Sequence, residues 1–260
     1  MAYNSHPAAQ ILRQARQDRV AVTPLPAGIA PATEAEGAAV QHALAGRVGA
    51  LPPYGFKIGA TGRRMQAYLG VETPIAGFMR TQDVHHGHAD LRFADFVNPG
   101  VECEVAVRLA HDLPPGPCTL DQACAAVGDF FAGIEIVENR YGDLKQLGTP
   151  TLVADQMYHA AAVIADRNEA AWHTLDIAAL HGRITLDNGV TDEGVTTDLL
   201  GHPLNGLAWL AGSPVAAAFG GLKAGQVIML GSVTPPVWLT APAHVTVAFP
   251  PLPPVTLEFH

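Results

Sequence analysis

The chain has 260 residues, with 15 Lys and Arg against 24 Asp and Glu, giving a formal net charge of −9. Hydrophobic residues make up 48% and charged residues 15%, ample for a packed core and incompatible with wholesale disorder. The acidic balance, without any Lys/Arg run, argues against nucleic acid or an anionic membrane as partner, because both need clustered cations.

No stretch approaches the ~20 apolar residues of a membrane-spanning helix. Met1 to His6 is polar, so no secretory signal is expected. The three cysteines, Cys103, Cys118 and Cys124, form no Cys-x-x-Cys pair. Free thiols in a reducing compartment, and hence a cytoplasmic location, are expected.

Ala8 to Asp18 reads as an amphipathic helix with Ile11, Leu12 and Ala15 on one side. Val20 to Pro31 carries three prolines and reads as a connector. Thr33 followed three residues on by Glu36 forms a capping-box pattern, opening a helix over Glu34 to Val48. Leu51-Pro52-Pro53 stops it. Tyr54 to Ile58 reads as a short strand, and Val101 to Leu109 as the clearest strand in the chain. Thr119 and Gln122 repeat the capping-box pattern and predict a helix running through Cys124, Val127 and Phe131. A strand follows at Ile134 to Val137. Beyond Pro150 come strand-like runs at 160–165, 182–186, 227–230, 236–239, 245–249 and 255–259, with one helix at Pro203 to Leu210. Helices early and strands late predict an α+β fold.

The sharpest feature is Val101-Glu102-Cys103-Glu104-Val105-Ala106-Val107. Side chains alternate along a strand, so Glu102 and Glu104 share one face, roughly 7 Å apart at their Cα atoms. Such a pair can converge on one cation, and it can equally be a solvated strand face. A second acidic segment, Gly133-Ile134-Glu135-Ile136-Val137-Glu138, places Glu135 between two isoleucines. A lone carboxylate there is costly unless it is paired or bound to metal. Carboxylates without His or Cys partners form a hard donor set, which predicts Mg²⁺ or Mn²⁺ rather than Zn²⁺. Lys57, the only cation of Gly55-Phe56-Lys57-Ile58-Gly59, is either a snorkelling surface lysine or a desolvated group that binds an anion or moves a proton.

His85-His86-x-His88 lies between turn-like segments and reads as an exposed loop rather than a metal site. No Gly-x-Ser-x-Gly elbow and no phosphate-binding Gly-rich loop is present. Cys103, opposite the glutamates, reads as a core residue, and Lys223 as part of a surface turn.

The Gly55–Gly59 motif resembles the opening signature of the 2-keto-4-pentenoate hydratase and 4-oxalocrotonate decarboxylase branch of the fumarylacetoacetate hydrolase superfamily. The resemblance continues through Leu69-Gly70-Val71, the Val101–Ala106 and Ile134–Arg140 segments and Leu152-Val153-Ala154-Asp155. It extends through His202–Ala211, Leu222–Ile228 and Gly231-Ser232-Val233-Thr234, in family order over most of the chain.

The resemblance implies a fumarylacetoacetate-hydrolase-like mixed β-roll or barrel with an N-terminal helical segment. We expect residues 1–80 to form an N-terminal α/β segment and 81–260 a catalytic domain. It implies a divalent metal, Mg²⁺ or Mn²⁺, on Glu102, Glu104 and Glu135, and a 2-oxo or 2-hydroxydienoic acid as substrate. Lys57 would lie beside the substrate as anion partner or proton carrier, and Ser232 with Thr234 would bind the substrate carboxylate. Asp155 is either a support to the site or structural. The implied activity is hydration of 2-hydroxypenta-2,4-dienoate-like acids in aromatic catabolism. Decarboxylation of 4-oxalocrotonate-like acids, or C–C hydrolysis of an acylpyruvate, are the alternatives. Family habit favours a homo-oligomer.

Three departures bear on the reaction. An acid follows the equivalent of Gly77 in relatives, and here Gln82 or Asp83 takes its place. Gln156-Met157-Tyr158-His159 replaces the asparagine and small residues that usually follow the aspartate, which predicts a reshaped pocket. Pro242-Ala243-His244 replaces a Gly-Asp turn.

Overall fold

The computed structural model describes residues 3–22, 24–142, 147–166 and 172–260, the side chain of Arg64 excepted. Helix α1 (His6–Asp18) carries its proline in the first turn, where the missing N–H has no helical partner to lose, and buries Ala8, Ala9, Leu12 and Ala15. Helix α2 (Glu34–Arg47) opens as its sequence predicts. The Thr33 hydroxyl accepts from the Glu36 N–H, and the Glu36 carboxylate accepts from the Ala32 N–H. Beyond the prolines come β1 (Gly55–Gly59), α3 (Arg63–Leu69), β2 (Ile75–Met79), β3 (Val84–His86) and β4 (His88–Leu91).

Next come β5 (Pro99–Leu109), α4 (Leu120–Ala126), β6 (Val127–Glu138), α5 (Gly148–Ala154) and β7 (His159–Ile164). The last part holds β8 (His181–Leu186), β9 (Thr191–Val195), α6 (Pro203–Ala211), α7 (Pro214–Ala218), β10 (Val227–Ser232), β11 (Val237–Trp238), β12 (His244–Ala248) and β13 (Val255–Phe259). Among the described residues the strands form two sheets. The larger runs β2-β1-β10-β5-β6-β7-β3, with β11 added on β5, and the smaller runs β4-β13-β12-β8-β9. β6 packs against β12 and β13, and β5 against β8, so the core lies between the sheets. The large sheet draws strands from both sides of residue 80: β1 and β2 precede it, and β10, β5 and β6 follow. No helix among the described residues is long and apolar enough to cross a membrane.

Glycine decides one join. A Cβ on Gly55 would stand 1.8 Å from the Val227 carbonyl oxygen, so only glycine lets β1 lie parallel to β10. That pairing sets Lys57 beside Met229 in the interior of the sheet.

Three expectations are corrected. The helix opened by the Thr119–Gln122 capping box ends at Ala126 and does not run through Val127 and Phe131. Those residues begin β6, because β5 offers a long edge and β-branched and aromatic side chains fit the pleated surface. His85, His86 and His88 lie on β3 and β4, in different sheets, rather than in a loop. The strand expected at 236–239 is confined to Val237–Trp238.

Candidate active site

Strand register gathers the acidic residues. β5 and β6 are antiparallel with Glu102 opposite Glu135, and Glu104 opposite Gly133. One carboxylate oxygen from each of the three glutamates lies within 4.8 Å of the other two. Glu104 and Glu135 are fully buried and Glu102 is 8% exposed, so the alternative of a solvated strand face is removed.

Lys57 is also withdrawn from solvent. Its Nζ stands 3.0 Å from Glu135 Oε1 and 5.6 Å from the centroid of the Tyr158 ring. Glu135 Oε1 has a second partner, His159 Nδ1, at 2.8 Å. Burial raises the Glu135 carboxyl, but Lys57 and then His159 outweigh it and bring it down to about 2. Burial first, and then the charge of Glu135, pushes Glu102 up to about 8. Burial, followed by Glu135 and Glu102, holds Glu104 well above the usual carboxylate range. Three buried acids thus face one lysine, a balance that favours a further cation.

The hydrogen bonding points the same way. Glu104 Oε2 accepts from the Gly231 N–H at 3.1 Å, while Glu104 Oε1 and Glu135 Oε2 are buried without a partner. Such orphaned acceptors are costly in a protein interior. Unpartnered carboxylate oxygens drawn together in an acidic cluster fit a hard divalent ion by charge and donor type. Among the described residues no other group of His, Cys, Asp and Glu comes together in this way.

A cavity of about 1280 Å³ opens on the cluster, lined by Lys57, Glu102, Tyr158, Ser232 and Thr234. Met65, Tyr68, Trp209 and Trp238 supply apolar wall. The two hydroxyls expected to bind a carboxylate have different surroundings. Ser232 Oγ accepts from the Cys103 N–H at 3.1 Å and lies 2.7 Å from the Thr234 carbonyl, so it ties the turn to β5. Thr234 Oγ1 is buried without a partner and is the hydroxyl with spare capacity.

Other singled-out residues lie elsewhere. Asp155 is locked by Arg16, Arg140 and Tyr141, which makes it structural. Asp83 pairs with Arg80, and Gln82 is exposed. Cys103 is fully buried, and burial followed by Glu104 pushes its thiol far up, so it is inert core. Lys223 pairs with Asp112 at 3.3 Å on the surface.

Individual roles for Tyr158 and His159 were not legible in the sequence. Both are delivered by a left-handed turn, with φ of 57°, 48° and 49° at Gln156, Met157 and Tyr158. The only signal was that bulky residues stand where relatives carry small ones.

The family model for the C-terminal domain of fumarylacetoacetate hydrolase matches residues 57–258. A 2-keto-4-pentenoate hydratase of Paraburkholderia phymatum is 32% identical over 187 residues, 72% of this chain and 70% of the relative. A 2-oxo-hept-4-ene-1,7-dioate hydratase of Escherichia coli is 32% identical over 188 residues, 70% of each chain. The structure of 4-oxalocrotonate decarboxylase from Pseudomonas putida G7, complexed with magnesium and adipate, superposes with a TM-score of 0.88 at 26% identity, covering 98% of this chain and 97% of that one. These likenesses bear out the expected α+β architecture and an enzymatic role, and with the family match over 57–258 they establish that the chain belongs to the fumarylacetoacetate hydrolase family.

Proposed function

We propose that this chain is a metal-dependent carbon–oxygen lyase, a hydratase that adds water to 2-hydroxypenta-2,4-dienoate-like (2-keto-4-pentenoate) acids. The observation that carries the reading is the convergence of Glu102, Glu104 and Glu135, buried at the cavity with two unpartnered oxygens. Named hydratases among the relatives support the substrate class.

In this reading the three glutamates hold Mg²⁺ or Mn²⁺. When bound, the ion supplies Lewis acidity toward the vicinal carboxylate and 2-oxo oxygens of the substrate. Lys57 would lie beside the bound substrate and carry the proton that converts the dienol to the unsaturated 2-oxo acid, delivered to C5 as the enol hydroxyl gives up its own. Water then adds at C4, conjugate to the 2-oxo group, and a proton returns to C3. Thr234 Oγ1 donates to the substrate carboxylate, and Ser232 keeps the turn in place for it. Met65, Trp209 and Trp238 exclude bulk water around the hydrocarbon end.

Incubation with Mg²⁺ and 2-hydroxypenta-2,4-dienoate tests the proposal. Loss of dienoate absorbance with formation of the 4-hydroxy-2-oxo acid is expected, and an unchanged spectrum overturns it. Decarboxylation of a 4-oxalocrotonate-like acid is the second reading. It is favoured by the likeness to the decarboxylase structure. Release of CO₂ without hydrated product selects it. A cytoplasmic homo-oligomer acting in aromatic catabolism completes the proposal, supported by the family resemblance.

A further inference from the structure

We propose that His159 is a positioning residue for the metal site: its Nδ1–H, together with Lys57, fastens Glu135 Oε1 and thereby keeps Glu135 Oε2 free for the ion. The proposal rests on the reading of the three glutamates as metal ligands.

The geometry is specific. His159 is 2% exposed, its Nδ1 lies 2.8 Å from Glu135 Oε1, and its Nε2 has no partner. Against a carboxylate oxygen, Nδ1 is the donor. Lys57 Nζ stands 3.0 Å from the same oxygen. Two donors on one oxygen pin the carboxylate; a single ammonium would let it rotate and offer Lys57 both oxygens. Histidine therefore fixes which oxygen is spent inside the protein and which remains.

The backbone that delivers the ring is built for the purpose. Gln156, Met157 and Tyr158 all adopt left-handed φ, a conformation that L-residues other than glycine seldom take. Such strain persists where surrounding contacts over-determine it. Here the Gln156 side-chain amide donates to the Phe78 carbonyl at 2.6 Å, and the Tyr158 N–H donates to the Asp155 carbonyl at 2.9 Å. Arg16 holds the Asp155 carboxylate at 2.7 Å and reaches the His159 carbonyl at 3.4 Å. The strained turn ends where β7 begins, with the His159 ring on Glu135.

The test is the dissociation constant of Mg²⁺ and of Mn²⁺ on the substrate-free protein, measured by calorimetry, with thermal melts of the metal-stripped variants to confirm folding. His159→Asn keeps a donor at the Nδ1 position and should bind within about 3-fold of wild type. His159→Leu fills the space without a donor and should bind about 10–100-fold more weakly, the usual effect of removing a hydrogen-bond partner of a metal ligand. Should leucine prevent folding, His159→Ala carries the same expectation. A donor-less variant that binds as tightly as wild type overturns the proposal, as does a folded asparagine variant as weak as leucine. A wild-type chain that binds neither ion overturns the reading of the site itself, and this proposal with it.

Discussion

Lys57 and Glu135 meet at 3.0 Å with side chains 1% and 0% exposed, an ion pair formed across two strands that are not neighbours in the sheet. β10 and β5 lie between them, so the pair ties the β1 side of the sheet to the acidic segment of β6. Removing one partner of such a buried pair leaves an uncompensated charge, which costs about 3–5 kcal/mol. Lys57→Met keeps the length of the side chain and deletes the ammonium. The metal-stripped variant should lose stability of that order in urea titrations. It should still bind Mg²⁺, because the lysine is not a ligand, while kcat falls by about 10²–10⁴, the span of general acid–base assistance. An unchanged kcat removes Lys57 from the chemistry.

The raised carboxyl of Glu102 makes metal-stripped protein lose stability as pH rises. Burial and then Glu135 push Glu102 up to about 8. An unfolded glutamate releases its proton near about 4.3. Between those values the folded chain keeps a proton that the unfolded chain has lost, so stability is full at the acidic end and falls as pH rises through the window. Thermal melts in chelator should show a declining midpoint up to about pH 8, and Glu102→Gln should flatten the decline. Saturating Mg²⁺, at about 100 times its dissociation constant, should return about 2.7 kcal/mol to wild type and little to the variant. Parallel wild-type and variant curves would assign the decline to other groups.

Among the described residues Gly231 supplies the only protein donor to Glu104, and it does so from a φ of +112°. A Cβ there would stand 1.9 Å from Thr61 Oγ1. Gly231→Ala combines a disfavoured backbone with a close contact and should cost about 1–3 kcal/mol. The N–H shifts with the backbone, so Mg²⁺ affinity should weaken as well. Urea midpoints and calorimetry read the two effects separately. A stable variant with wild-type affinity would show that the Gly231 N–H does not set the position of Glu104.

Local features were legible in the sequence and long-range ones were not. The caps of α2 and α4 were readable because a cap involves residues three apart. The end of α4 was not, because the pairing edge that β5 offers is set by tertiary contact. Alternation alone put Glu102 and Glu104 on one face. Bringing Glu135 opposite Glu102 needed the register of β5 on β6, which no local pattern specifies. The short strands β3, β4 and β9 exist through their partners and carry little signal of their own. His159 reaches Glu135 through a turn that its residues disfavour individually, so propensity pointed away from it. The difference between Ser232 and Thr234 depends on which hydroxyl the backbone of Cys103 engages.

Asp155 anchors that turn from the opposite side. Arg16 holds one carboxylate oxygen at 2.7 Å, while Arg140 and Tyr141 hold the other at 2.5 and 3.0 Å. Burial raises the carboxyl, but Arg140 and Arg16 overcome it and leave it below the ordinary value. A group depressed in the folded state contributes its stabilisation above its unfolded value, about 3.9 for aspartate, and loses it as pH falls through the folded one. Asp155→Asn should therefore be about 3–5 kcal/mol less stable than wild type at neutral pH, with the buried Arg140 and the part-buried Arg16 left short of a counter-charge. The gap should narrow below about pH 4, where wild type protonates the same group. Urea midpoints of both proteins across the acid range measure it, and a gap that stays constant down to the lowest pH would show that the stabilisation comes from packing around residue 155 rather than from its charge.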